Sequence, residues 1–354
     1  MNRLFHLLQH HELILSIGVF GVVQMLADIL ADWGTGTAAA IVRGLGIVAL
    51  VGIFLWSVYR KERLLEVPLV FTEAEKREDA RALLKQFEAH TRTERIVKLL
   101  DSSSPVREEE LYIQLRNASQ LRNASRLRQK ADEAIWEDAL TQLVREWDEE
   151  VDERLKRWMT GQYQGLVYHI SPDIVLPAAF YLGAAVGLRR PLKIYQKNTP
   201  GDYHLAIDLS ETPRRLLEPP ARDITGIRTI PEGATPPETQ QERLILHLVI
   251  GRHEPRFEAH PDHATAVSVA FYYPESLPHK EDWLPYIQTF VQLAKPWVDR
   301  YKQVDLCLAM PHSVAMALGM AFSRSPQSRV CHWYESVYKP VAELRWMEQK
   351  LPFD

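Results

Sequence analysis

An internal repeat restricts how this chain can fold more than any other feature of its sequence. VYHISPDIVLPAAFYLGAAV is followed by LKIYQ and YHLAIDL; VDLCLAMPHSVAMALGMAF is followed by RVCHWYE and YKPVAEL. Both follow one order: a strand, a proline, a small-residue helix ending Leu-Gly, a second strand, then a tyrosine and another apolar run. Such a repeat marks a duplicated half-domain. Strands are expected at Leu166–Ile170, Leu192–Gln196, His204–Leu209, Leu244–Gly251, Ala266–Tyr273, Val304–Met310 and Arg329–Glu335. Strands interleaved with helices in this way predict an α/β domain over residues 161–354.

The amino terminus follows a different rule. Leu13 to Ala27 and Gly44 to Tyr59 carry no formal charge, and each run extends past one polar residue to the roughly 20 residues that a bilayer requires. Residues 1–60 are therefore expected to form a two-helix transmembrane hairpin. Arg3 before it and Arg60, Lys61 and Arg63 after it predict that both termini face the cytoplasm. Arg43 lies inside the second run, where an isolated charge is costly. Folding the hairpin about Gly34 brings Gln24 to a similar depth with Asp28 one turn away, so Gln24, Asp28 and Arg43 are expected to form a polar intramembrane cluster.

Residues 61–160 read as a charged helical linker. Thr72 to Leu100 alternates charges with apolar residues, and LRNASQ-LRNASR is a local duplication. Trp136, Leu140, Leu143, Trp147, Val151, Leu155 and Trp158 recur at helical spacing as one apolar stripe, expected to pack on the next domain or on a neighbouring subunit. A net charge of −4 supplies no broad basic surface, so duplex nucleic acid is not an expected partner. Cys307 and Cys331, the only cysteines, read as small buried residues.

The second repeat carries a resemblance. Met310-Pro311, the helix through Ala315 to Leu318-Gly319, the strand to Tyr334 and the closing Tyr338-Lys339-Pro340 resemble the carboxy-terminal signature of the SAVED sensor domain. The resemblance spans about Gly161 to Asp354 and implies two fused CARF-like, Rossmann-like halves. It implies a cyclic oligonucleotide second messenger as activating ligand, typically a cyclic trinucleotide, and a place in CBASS antiphage defence. Joined to two membrane helices, the chain resembles a transmembrane-SAVED effector. That type implies ligand-induced homo-oligomerisation, disruption of the lipid bilayer at the bacterial inner membrane and abortive infection. No enzymatic effector module accompanies it, so no catalytic residue, cofactor or metal is expected.

The residues give their own case for a ligand. In open α/β sheets ligands gather at the carboxyl ends of strands, where helix amino termini offer free N–H groups. Two such corners are expected: Ser171, Pro172 and Asp173 after the first strand, and Pro311, His312 and Ser313 after its mate. Tyr195, Lys197, Arg252, Tyr273 and Tyr334 near other strand ends supply rings and charges suited to bases and phosphates. The histidine-rich loop from His253 through Glu254, Glu258, His260 and Asp262 to His263 matches no metal-binding motif. A membrane-tethered metal-dependent hydrolase using that loop and a constitutive membrane scaffold remain the alternatives. Residues 211–237, rich in proline, form a long surface insertion.

Overall fold

A computed structural model describes residues 64–72 and 165–344 apart from 200, 201, 324 and 326, together with Asp28 and scattered helical positions between 82 and 147. The expected hairpin, with Gln24 and Arg43, lies outside the described residues; Asp28 is helical and exposed. Among the described residues, no helix is long and apolar enough to cross a membrane.

The expected duplication is present in three dimensions. In the first half, β2 (Gly165–Asp173) leads through α1 (Leu176–Val186) to β3 (Leu192–Thr199) and β4 (Asp202–Leu209). In the second half, β8 (Tyr301–Ala309) leads through α3 (His312–Phe322) to β9 (Ser328–Tyr334) and β10 (Val337–Glu343). Each half places its first two strands parallel and adds the third antiparallel. Their first strand, helix and second strand start at one constant sequence spacing: Gly165 and Tyr301, Leu176 and His312, Leu192 and Ser328.

Each half then adds strands of its own. The first sheet has the order β1-β2-β3-β4, where β1 is Leu64–Thr72. This strand corrects the expectation that 61–160 is helical throughout: Val67, Leu69, Val70 and Phe71 are all buried, and β-branched and aromatic residues at such density suit a covered strand. The second sheet has the order β10-β9-β8-β6-β7-β5, with β5 at Arg228–Ile230, β6 at Gln241–Ile250 and β7 at Val267–Tyr273. Its inner strands β9, β8, β6 and β7 are parallel, and helix α2 (Leu284–Val298) returns the chain from β7 to β8. The proline-rich insertion supplies β5, an edge strand paired antiparallel with β7. Two tryptophans of the expected stripe pack on the sheets: Trp147 lies 5.0 Å from the Tyr168 ring and Trp136 lies 5.3 Å from His332, while Leu143, Val151, Leu155 and Trp158 lie outside the described residues.

Helices α1 and α3 are apolar on every side, the pattern of a helix buried all round, and nearly every residue of both is inaccessible. They meet through glycine. A Cβ at Gly183 would overlap the Met316 carbonyl oxygen, and one at Gly319 would overlap the Phe180 carbonyl oxygen. The contact is reciprocal, as a two-fold relation between the halves requires, and it is the reason both helices carry Leu-Gly, each three residues before its end. Gly183→Ala and Gly319→Ala are each expected to destabilise the fold by about 3 kcal/mol, the upper range of overpacking, as read from denaturant midpoints. A wild-type midpoint in either variant would show that the helices do not touch there.

Candidate functional site

The strands end together. Gln196 and Asn198 from the end of β3, Ile250 and Gly251 from the end of β6, Ser276, Leu277 and His279 after β7, Trp283 before α2 and Pro311 after β8 line one cavity of about 220 Å³. It sits at the carboxyl ends of parallel strands, the position that open α/β folds use for ligands. Gly251, at φ 122°, turns the chain there in a conformation that side-chain-bearing residues rarely adopt, and the exposed Arg252 follows it.

Two polar networks hold the cavity wall. Asn198 Nδ2 donates to Nδ1 of His204 at 3.1 Å and to Nδ1 of His279 at 3.2 Å. With Asn198 donating, each Nδ1 accepts, and the donor face of the exposed His279 ring is Nε2. The His204 ring meets Trp283 edge-on at 4.6 Å, and Trp283 Nε1 donates to the Pro278 carbonyl at 2.8 Å. These contacts fix an indole and an imidazole beside one another at the cavity wall.

The second network ties the halves together. Gln196 Oε1 accepts from Ser313 Oγ at 2.8 Å and from the Ser313 backbone N–H at 3.4 Å. A side chain of the first half thus satisfies a free donor in the first turn of α3, because α3 has no side-chain cap of its own. Lys197 Nζ pairs with Asp173 Oδ2 at 2.6 Å, and both side chains are mostly covered. That pair neutralises the carboxylate that would otherwise repel a phosphate.

The sequence expectations fare unevenly. Pro311 lines the cavity, and Asp173, Lys197, His312 and Ser313 lie in the networks around it. Ser313 is buried and occupied by Gln196. The first corner differs from expectation: β2 runs on through Ser171, Pro172 and Asp173, and the helix begins only at Leu176. Pro172 has no N–H to give, and the ladder of β2 with β3 is already complete at Ile170. Ser171 is buried, with no hydrogen-bond partner for its hydroxyl among the described residues.

The aromatic candidates scatter. Tyr195 packs in the core, 5.0 Å from Phe87, with its hydroxyl 3.0 Å from His169 Nδ1. Tyr273 packs edge-on against Tyr286 at 5.4 Å, and burial together with Tyr286 and Glu275 pushes its phenol up to about 12. Tyr334 bonds to Glu335 and lies under the Lys339 ammonium, outside the cavity lining. Gln196, Asn198, His204, His279 and Trp283 were not singled out from the sequence. Their one signal is position, since Gln196, Asn198, His279 and Trp283 lie at the end of a strand or in the turn after one. In the histidine-rich loop only His260 turns inward, while His253, Glu254, Glu258 and His263 are exposed.

No protein-family model matches the chain, and no curated protein does. Among solved structures, the chain is similar to the Acinetobacter baumannii Cap4 SAVED/CARF-domain receptor with the cyclic trinucleotide 3'3'3'-cAAA. The TM-score is 0.46 at 12% identity, over 95% of this chain and 78% of that one. The same receptor with 2'3'3'-cAAA gives a TM-score of 0.45 at 12% identity with the same coverage. The Moraxella osloensis Cap4 SAVED/CARF-domain receptor gives 0.44 at 12% identity, again over 95% and 78%.

His312 makes the region sensitive to acid. Burial lowers its pKa from the usual 6.5, with Asp173 opposing. The unfolded chain then binds the proton more readily, so this residue contributes stability above its unfolded pKa that is lost as pH falls through that value toward the lowered one. Between about pH 7 and about pH 5, the wild type is expected to lose more unfolding free energy than His312→Gln. Parallel slopes in denaturant titrations would contradict this.

Proposed function

We propose that this chain is a receptor for a cyclic oligonucleotide, in the first instance a cyclic trinucleotide, acting in antiphage defence. The observation that carries the reading is the cavity at the carboxyl ends of β3, β6 and β8, walled by an indole, imidazoles and side-chain amides with Arg252 beside its rim. Rings and amide donors suit the flat face and the edge of a base, and a guanidinium beside them suits a phosphate. The cavity is smaller than the ~300 Å³ at the low end of drug-sized pockets. It therefore takes one nucleoside portion of the ligand, and the rest lies across its rim.

The duplicated fold and the sequence resemblance to SAVED sensors support the same reading. In this proposal ligand binding favours a homo-oligomer, and the amino-terminal hairpin at the inner membrane is the output. The ligand then acts only through its greater affinity for the assembled state.

Titration of the full chain by calorimetry against cyclic di-, tri- and tetranucleotides tests this, with 3'3'3'-cAAA and 2'3'3'-cAAA the natural first probes. One cyclic oligonucleotide is expected to bind, and Asn198→Ala and Arg252→Ala are each expected to weaken it by about tenfold, the loss of one hydrogen bond to a charged or polar group. Silence of the folded chain across the panel, or unchanged affinity in both variants, would defeat the proposal.

A further inference from the structure

A row of metal-ligating side chains crosses the second sheet away from the cavity. His247 on β6 is in register with Cys307 on β8, and Cys307 is in register with Cys331 on β9. In-register residues on adjacent strands share a sheet face and stand about 4.8 Å apart. All three are buried, and the cysteines form no disulfide. His260, from the loop between β6 and β7, closes over the row with Nε2 at 3.8 Å from Cys331 Sγ. Ligand atoms of His260, Cys307 and Cys331 all lie within 4.8 Å of one another.

Tetrahedral zinc, with bonds of about 2.3 Å to sulfur and about 2.0 Å to nitrogen, holds a sulfur and a nitrogen roughly 3.6 Å apart and two sulfurs roughly 3.8 Å apart. The three side chains are close to that arrangement already. His247, in register beside Cys307, offers a nitrogen as the fourth donor. It is fully buried, and among the described residues neither ring nitrogen has a hydrogen-bond partner, a condition that native interiors rarely leave without an ion or a water. A second grouping, His260 with Asp262 and Asp305, suits a cation poorly. Arg243 Nη2 lies 2.5 Å from Asp262 and 2.7 Å from Asp305, and Arg329 also pairs with Asp305, so both carboxylates are already neutralised.

We propose that His247, His260, Cys307 and Cys331 form a structural zinc site, with the His247 ring turning toward the sulfurs as the ion binds. Two thiol protons leave, and two thiolates with two neutral imidazoles make the site electrically neutral, as burial requires. Metal at His260 Nε2 places the ring proton on Nδ1, so the 3.2 Å contact from the Asp262 N–H and the 3.4 Å contact of Nε2 with Asp305 are both given up, and Arg243 and Arg329 then hold the Asp305 carboxylate. The ion ties the loop that begins with Gly251 and Arg252 to three strands of the sheet. The site itself does not depend on the proposed ligand.

The full chain, purified without chelator, is expected to carry one zinc per molecule by plasma mass spectrometry. Cobalt in its place is expected to show tetrahedral d–d bands with thiolate-to-cobalt charge transfer, reduced about twofold in Cys307→Ser or Cys331→Ser as one of two thiolates is lost. His247→Gln is expected to weaken zinc at least about tenfold in competition with a chromophoric chelator. A folded wild-type chain that holds no zinc, takes up no cobalt and titrates as two free thiols would overturn the proposal. So would a Cys307–Cys331 disulfide in the purified protein, or unchanged cobalt bands in the double serine variant.

Discussion

Two buried helices that touch backbone to backbone set the geometry on which the rest depends. Gly183 lies against the Met316 carbonyl and Gly319 against the Phe180 carbonyl, so α1 and α3 approach more closely than any side chain would permit. Because each helix follows the first strand of its half, the closeness of that contact fixes how near the two sets of strand ends can come. Interiors packed at crystal-like density do not absorb an extra methyl at such a point, and an inserted carbon would move a helix rather than a side chain.

The cavity follows from that approach. Gln196 of the first half reaches Ser313 of the second because the α1–α3 crossing brings the end of β3 beside the start of α3. The bond closes an open helix terminus and joins the halves, so one side chain serves both the stability of α3 and the shape of the cavity wall. Elsewhere the second half stabilises itself through a buried charge. Burial alone would raise the Asp305 carboxyl, but hydrogen bonds from His260, Arg329 and Arg243 hold it well below the usual carboxylate range. The price of burying a carboxylate is met here by these donors, and loss of either guanidinium would leave an incompletely compensated charge in the core.

Much of this architecture was legible in the sequence. The Leu182-Gly183 and Leu318-Gly319 pairs announced the duplication, and all seven expected strands are present because short apolar runs bounded by proline and glycine are a strong local signal. Strand β1 was not legible, since LLEVPLVFT follows basic residues and precedes a charged segment, and only its partner β2 decides its state. The site was read less completely. Alternation leaves a residue such as Tyr195 with two candidate faces, and Phe87 and Tyr203 decide in favour of the core. Asn198, His279 and Trp283 meet only through tertiary approach of turns distant in sequence, which no local pattern records.

The central claim, that the carboxyl ends of both halves build one nucleotide cavity, is tested most directly by hydrogen exchange of the full chain with and without a saturating cyclic trinucleotide. The account predicts added protection in the segments around Gln196–Asn198, Gly251–Arg252, Ser276–Trp283 and Pro311, drawn from both halves. Protection confined to one half, or centred on segments outside the cavity lining, would contradict it.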